Sequence, residues 1–225
     1  MRPWILLDSA TVPGGGGELR LYQRGEEFSI KIVGRGELMN SRMHGSEDAL
    51  AELTCARLAA CPAPRLLIGG LGMGFTLAAA LQYFPEQTEI VVAELVPAVV
   101  TWNKGPLGTL SGQPLANPRV SVRAMDVARI LETEEQAFDA ILLDVDNGPE
   151  GLTRKENDWL YSMNGLNAAY AALRPQGILA VWSAGPDQNF QQRLHKVGFA
   201  VEEVRVRAHG KKGARHIIWF ARRPA

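Results

Sequence analysis

From residue 65 onward, short apolar runs alternate with segments long enough to form helices, and this regularity constrains the fold more than any other feature of the chain. The runs are Arg65–Gly70, Glu89–Leu95, Val120–Met125, Phe138–Asp144, Gly177–Ser183, Val201–Arg207 and His216–Ala221. Between them lie Phe75–Phe84, Pro97–Asn103, Val127–Glu132, Gly165–Arg174 and Asp187–Val197, each long enough to cross over a sheet as a helix. Leu66-Leu67-Ile68 and Ile141-Leu142-Leu143 show no polar alternation, as expected of central parallel strands covered on both faces. Seven strands in a mostly parallel α/β sheet follow. The last two runs are separated by His209-Gly210-Lys211-Lys212-Gly213, too short for a helical crossover, so the final strand is expected to return antiparallel as a hairpin.

Ahead of this unit, Trp4–Val12, Glu18–Gln23 and Phe28–Val33 are broken by Gly14-Gly15-Gly16-Gly17 and Arg24-Gly25-Glu26, a pattern of antiparallel strands joined by turns. From Ser46, a candidate N-cap, the spacing becomes helical. The expected organisation is an N-terminal β region over 1–45 and a main α/β domain over 46–225. A chain of 225 residues with 46% hydrophobic content has enough apolar side chain for one substantial core. Lys+Arg and Asp+Glu each number 24, so no basic surplus points to nucleic acid or to a membrane surface. The N-terminus lacks a signal-peptide pattern and no apolar run approaches a membrane span, so a cytoplasmic protein is expected. Cys55 and Cys61 have no second Cys/His cluster to complete a zinc site and are read as reduced thiols.

The first strand of the alternating unit runs into Gly69-Gly70-Leu71-Gly72-Met73-Gly74 and then a helix. Such a turn lets backbone approach a ligand and offers free N–H groups at the helix N-terminus. Glu94 ends the next strand, where an acid can accept hydrogen bonds from ribose hydroxyls, with Leu95 beside it. Asp126 follows the third strand and suits an adenine amino group, with the Val127 N–H adjacent; it also suits a helix N-cap. Asp144 ends the fourth strand, followed by Asp146 and Asn147. The terminal hairpin separates a class I methyltransferase-like (Rossmann-like) sheet from a dinucleotide fold that continues in parallel units. Two grouped carboxylates are thin support for a metal, and none is expected.

Arg65-Leu66-Leu67-Ile68-Gly69-Gly70, Val92-Ala93-Glu94-Leu95-Val96-Pro97, Met125-Asp126 and Asp139–Asp144 together resemble the spermidine synthase (polyamine aminopropyltransferase) family over about residues 18–185. The resemblance implies S-adenosylmethionine or its decarboxylated form as donor, Glu94 on the ribose, Asp126 on the adenine, and Asp144 as the base that deprotonates an attacking amine. It also implies small N-terminal strands and, commonly, a homodimer. Gly72 stands where aminopropyl-transferring members carry an amine-holding acid, and Asn147 stands at their second loop acid unless Asp146 substitutes for it. Their Asp-Glu-x-x-Tyr-(His/Gln)-Glu stretch becomes Ser46-Glu47-Asp48-Ala49-Leu50-Ala51-Glu52, without the amine-cradling tyrosine. These departures favour methyl transfer from intact S-adenosylmethionine to a small-molecule acceptor. Aminopropyl transfer and a non-catalytic nucleoside-binding role remain as alternatives.

The resemblance also lays Asn40–Glu47 across the mouth of the donor site, with Asn40 and Arg42 as candidates for the methionine end and His44 as a candidate base. The acceptor is expected at the polar-aromatic stretch Asn147–Ser162, with Asp146, Asn147 and Tyr161 as its binding residues. Trp102 and Trp182 are read as packing residues.

Overall fold

A computed structural model describes residues 2–58, 61–145, 157–209 and 212–225. The N-terminal β region is a four-stranded antiparallel sheet in the order β1 (Ile5–Thr11), β2 (Glu18–Arg24), β3 (Glu27–Ile32) and β4 (Gly36–Asn40). The fourth strand lies where a link to the first helix was expected. It has five residues and pairs with β3 through an irregular register between Ile30 and Lys31, which hides its periodicity.

The second sheet has seven strands in the order β10-β11-β9-β8-β5-β6-β7. These are β5 (Arg65–Gly69), β6 (Glu89–Ala93), β7 (Val120–Arg123), β8 (Phe138–Leu143), β9 (Leu173–Ser183), β10 (Ala200–His209) and β11 (Lys212–Arg222). β11 is antiparallel to both β9 and β10, while β5, β6, β7, β8 and β9 pair in parallel. The crossovers use α2 (Phe75–Tyr83), α3 (Pro97–Lys104), α4 (Val127–Thr133), α6 (Met163–Ala172) and α7 (Gln188–Val197), and α1 (Gly45–Arg57) connects the two sheets.

Both faces of the large sheet are covered, which accounts for its unbroken apolar strands. Leu66, Ile68, Ala140 and Leu142 point into one core with Leu50, Leu77 and Val99, and the small sheet adds Leu21 and Ile30 to it. Leu67, Ile141 and Leu143 point the other way, into a core with Ile130, Leu166 and Phe190. The strand and helix ends follow from local chemistry. α6 begins after Ser162, whose hydroxyl accepts from the Gly165 N–H, and it stops at Ala172 rather than Arg174. Pro175 disfavours a helical conformation at Arg174, and the chain enters β9 instead.

Two further local readings differ from expectation. α1 starts at Gly45, and the Ser46 hydroxyl donates to Glu47 Oε2 at 2.7 Å instead of capping the helix. Within the stretch expected to be loop, Asn157–Tyr161 forms a short helix, α5, which packs on α6. Among the described residues, no helix is long and apolar enough to cross a membrane.

Candidate active site

The carboxyl ends of β5, β6, β7 and β8 open on a cavity of about 350 Å³, closed from the other side by the small sheet and the start of α1. Its floor is the glycine turn. Gly70 has φ +90°, and a side chain there would strike the Asp144 carbonyl oxygen, so only glycine lets β5 turn beside β8. Gly72 has φ +52°, and a Cβ at that position would lie 2.7 Å from Met39 Cε and 3.1 Å from Met39 Sδ. The thioether of β4 therefore fills the space where the resemblance expects an acid. Gly72→Ala is expected to cost about 1–2 kcal/mol in chemical denaturation from the left-handed backbone alone. Met39→Ala in the same chain should recover only the additional steric loss.

Glu94 locks the turn. Its side chain is buried, Oε2 accepts from the Leu71 N–H at 2.9 Å and Oε1 from the Val96 N–H at 2.8 Å. Asn103, which no motif marks, donates to the Gly72 and Val99 carbonyls at 2.8 and 2.9 Å and ties the turn to α3. Asp126 caps α4, accepting from the Ala128 N–H at 2.9 Å, and also lines the cavity.

Glu94, Leu95, Asp126, Val127, Asp144, Gly70, Gly72 and Asn40 share the cavity wall. Gly69 sits one residue behind, where a Cβ would press on Leu143 and Val127, and Gly74 is the N-terminal residue of the α2 turn with φ +82°. Asn40 donates to Glu37 Oε1 at 2.8 Å and accepts from the Arg42 N–H at 3.1 Å. Arg42 itself is exposed and directed at Glu27, 3.6 Å away, so it stands off the cavity. His44 stacks on Phe75 and contacts Asp48 at 2.8 Å, also away from it. Tyr161 is buried against Phe190 behind the wall, and its neighbour Leu160 is the residue that reaches the cavity. Asp146 and Asn147 lie outside the described residues. Trp102 packs as expected, donating from Nε1 to Asp8 at 2.7 Å, but Trp182 lines the cavity.

Glu47 lies in the stretch expected across the mouth, but the acid Glu37 and the rings of Trp182 and His216 line the cavity without having been expected there. They come from β4, β9 and β11, and no spacing in the sequence relates them. Asp144 is half-buried and lines the cavity, and burial pushes its pKa up while the Thr76 hydroxyl, 2.7 Å from Oδ2, opposes the shift. Burial, with the charge of Asp144 next in weight, raises Glu47 to about 7. The folded chain thus holds this proton more tightly than the unfolded one, so the stabilisation it brings is complete below about pH 4.5 and lost as pH rises through about 7. Glu47→Gln, which cannot ionise, should therefore melt above the wild type at pH 8.5, with the difference shrinking by pH 5. An equal difference at both pH values would count against this origin.

Among the described residues lining the cavity are five carboxyl groups, those of Glu37, Glu47, Glu94, Asp126 and Asp144, and no lysine or arginine. Among the described residues no cluster of three or more His, Cys, Asp or Glu could hold a metal ion.

This strand order, with an antiparallel strand inserted next to the edge, defines a class I methyltransferase-like fold. A model of the spermine/spermidine synthase domain matches residues 56–204, and the chain belongs to that family. Spermidine synthase from Thermotoga maritima superposes with a TM-score of 0.76 at 17% identity, over 96% of this chain and 72% of that one. A spermidine synthase in complex with the transition-state analogue AdoDATO gives the same values. Burkholderia thailandensis 1,6-didemethyltoxoflavin-N1-methyltransferase, with S-adenosylhomocysteine bound, aligns at a TM-score of 0.55 and 19% identity, over 80% of this chain and 77% of that one. Among curated proteins, none matches the sequence significantly.

Proposed function

We propose that the chain transfers a methyl group from S-adenosylmethionine to a small acceptor, with Asp144 receiving the acceptor's proton. The observation that carries the donor class is the charge of the cavity: five carboxyl groups without a lysine or arginine among the described lining residues suit a cationic sulfonium nucleoside and repel a pyrophosphate. When bound, the donor supplies an electrophilic carbon on a positively charged sulfur. Glu94 and Asp126 flank the turn where a ribose and an adenine would lie, and Gly70 and Gly72 allow backbone to approach them. Val127, Leu95 and Val99 supply apolar surface for a base. Asp144, held by Thr76, faces the same space, and its raised pKa suits a group that must accept a proton near neutrality. The bound ligands of the two structural neighbours, AdoDATO and S-adenosylhomocysteine, support an adenosyl sulfur ligand.

Methyl transfer is preferred over aminopropyl transfer because Met39, not a carboxylate, occupies the space above Gly72. A donor ending in a bare ammonium would there meet a thioether. One observation favours the second reading: no lysine or arginine among the described lining residues faces a donor carboxylate, which would suit decarboxylated S-adenosylmethionine. Calorimetric titration with S-adenosylmethionine, its decarboxylated form, methylthioadenosine and NAD separates these. Tighter binding of intact S-adenosylmethionine is expected, tighter binding of the decarboxylated form would replace methyl by aminopropyl transfer, and binding of NAD alone would overturn both. Donor binding without turnover of any small acceptor would leave a nucleoside-binding protein.

A further inference from the structure

A second proton-handling group stands beside Asp144, built from residues on two distant elements. Ser46 and Glu47 open α1, and His216 lies in β11. His216 Nδ1 lies 3.1 Å from Ser46 Oγ, and Ser46 Oγ lies 2.7 Å from Glu47 Oε2. All three line the cavity that Asp144 enters from the end of β8. Ser46 is almost fully buried, at 1% exposure, so it has little access to water as an alternative partner. Its single hydroxyl proton goes to Glu47 Oε2, which accepts it whether or not the other carboxyl oxygen is protonated, and the hydroxyl oxygen then accepts from His216. This assigns the proton of neutral His216 to Nδ1. The edge-to-face contact with Trp182, at 4.6 Å between ring centroids, holds the imidazole in that orientation. Burial lowers the His216 pKa, which keeps the ring neutral and the direction of donation fixed.

We propose that His216 and Ser46 orient Glu47 as the partner of Asp144 in a two-carboxyl pair that lines one cavity and retains one proton. Two carboxylates in one poorly solvated cavity cannot both ionise cheaply, so one proton stays with them until pH rises past neutrality. Thr76 donates to Asp144 and Ser46 to Glu47, so a hydroxyl donor holds one oxygen of each member. The inference rests on Asp144 being the proton acceptor: with Glu47 holding the resident proton, Asp144 remains ionised to take the next. Ser46 and His216 are positioning residues in this scheme. Other groups able to influence Glu47 are Asp48 on its own helix, and Glu37, Glu94 and Asp126 on the facing walls. All are acidic, so they reinforce proton retention. His216 is the one basic side chain among the described lining residues.

Carbon-detected nuclear magnetic resonance titration of the Glu and Asp carboxyls in the full chain, without any donor, reads this directly. One glutamate midpoint is expected near pH 7, absent in Glu47→Gln and lower in Asp144→Asn. Ser46→Ala removes a donor to the ionised form and should raise the midpoint by about one pH unit. His216→Leu should move it in the same direction by less, and His216→Asn, which places an amide donor at the Nδ1 position, should restore it. A Glu47 midpoint in the ordinary carboxylate range overturns the pair. Midpoints unmoved by both Ser46→Ala and His216→Leu overturn the relay, and loss of folding in Ser46→Ala leaves the histidine variants to decide. Because no donor is present, failure of S-adenosylmethionine to bind would defeat the proposed function while leaving this titration intact.

Discussion

Asp144→Asn should reduce turnover by about 10²–10⁴-fold, the range usually lost with a positioned general base. Donor affinity should change by less than tenfold. The amide keeps the shape and can still accept from Thr76 through its oxygen, so the Oδ2 contact at 2.7 Å survives and the end of β8 is not disturbed. What it loses is the ability to take a proton. Calorimetry for the donor, alongside steady-state rates for any acceptor that is turned over, checks both halves of the expectation. Turnover within a few-fold of wild type would remove Asp144 from the chemistry. A large fall in donor affinity with unchanged maximal rate would recast it as a binding residue.

Glu94→Ala should have the largest effect on the scaffold. The carboxylate is 7% exposed and accepts from two backbone N–H groups that belong to the turn and to the entry of α3. Alanine leaves both donors without it in a buried place, at about 1–3 kcal/mol each. We therefore expect roughly 2–5 kcal/mol lost in urea denaturation, together with loss of measurable donor binding. Glu94→Gln should fall between, since its amide oxygen can serve one N–H while its NH₂ faces the other. Wild-type denaturation midpoints in the alanine variant would show that the turn holds without the carboxylate.

The large sheet was legible because its physics is local: unbroken apolar runs of three to five residues in the central strands, glycines at the first turn and a link too short for a crossover. Glu94, Asp126 and Asp144 were legible for a related reason, since the parallel topology places whatever follows each strand at one edge of the sheet. β4 was not, because a five-residue strand beginning at a glycine with a shifted register carries too little periodicity. The other half of the cavity was hidden for a different reason. Glu47 and His216 are 169 positions apart in the chain yet share Ser46, and that juxtaposition exists only once β11 has been inserted between β9 and β10. The same holds for Met39, whose significance depends on Gly72 lying opposite it. Arg42 illustrates the reverse error: its charge suggested a carboxylate partner in the ligand, but Glu27 in the neighbouring strand lies within its reach.

The N-terminal β region gives Val12, Leu19, Ile30 and Ile32 to a cavity whose proposed base, Asp144, stands at the end of β8 on the large sheet. Under the proposed function, size and shape selection can therefore drift through apolar substitutions on one sheet while the proton acceptor stays fixed on the other. A lineage with this arrangement can explore new acceptors without rebuilding its chemistry, and a protein engineer can do the same by varying those four side chains.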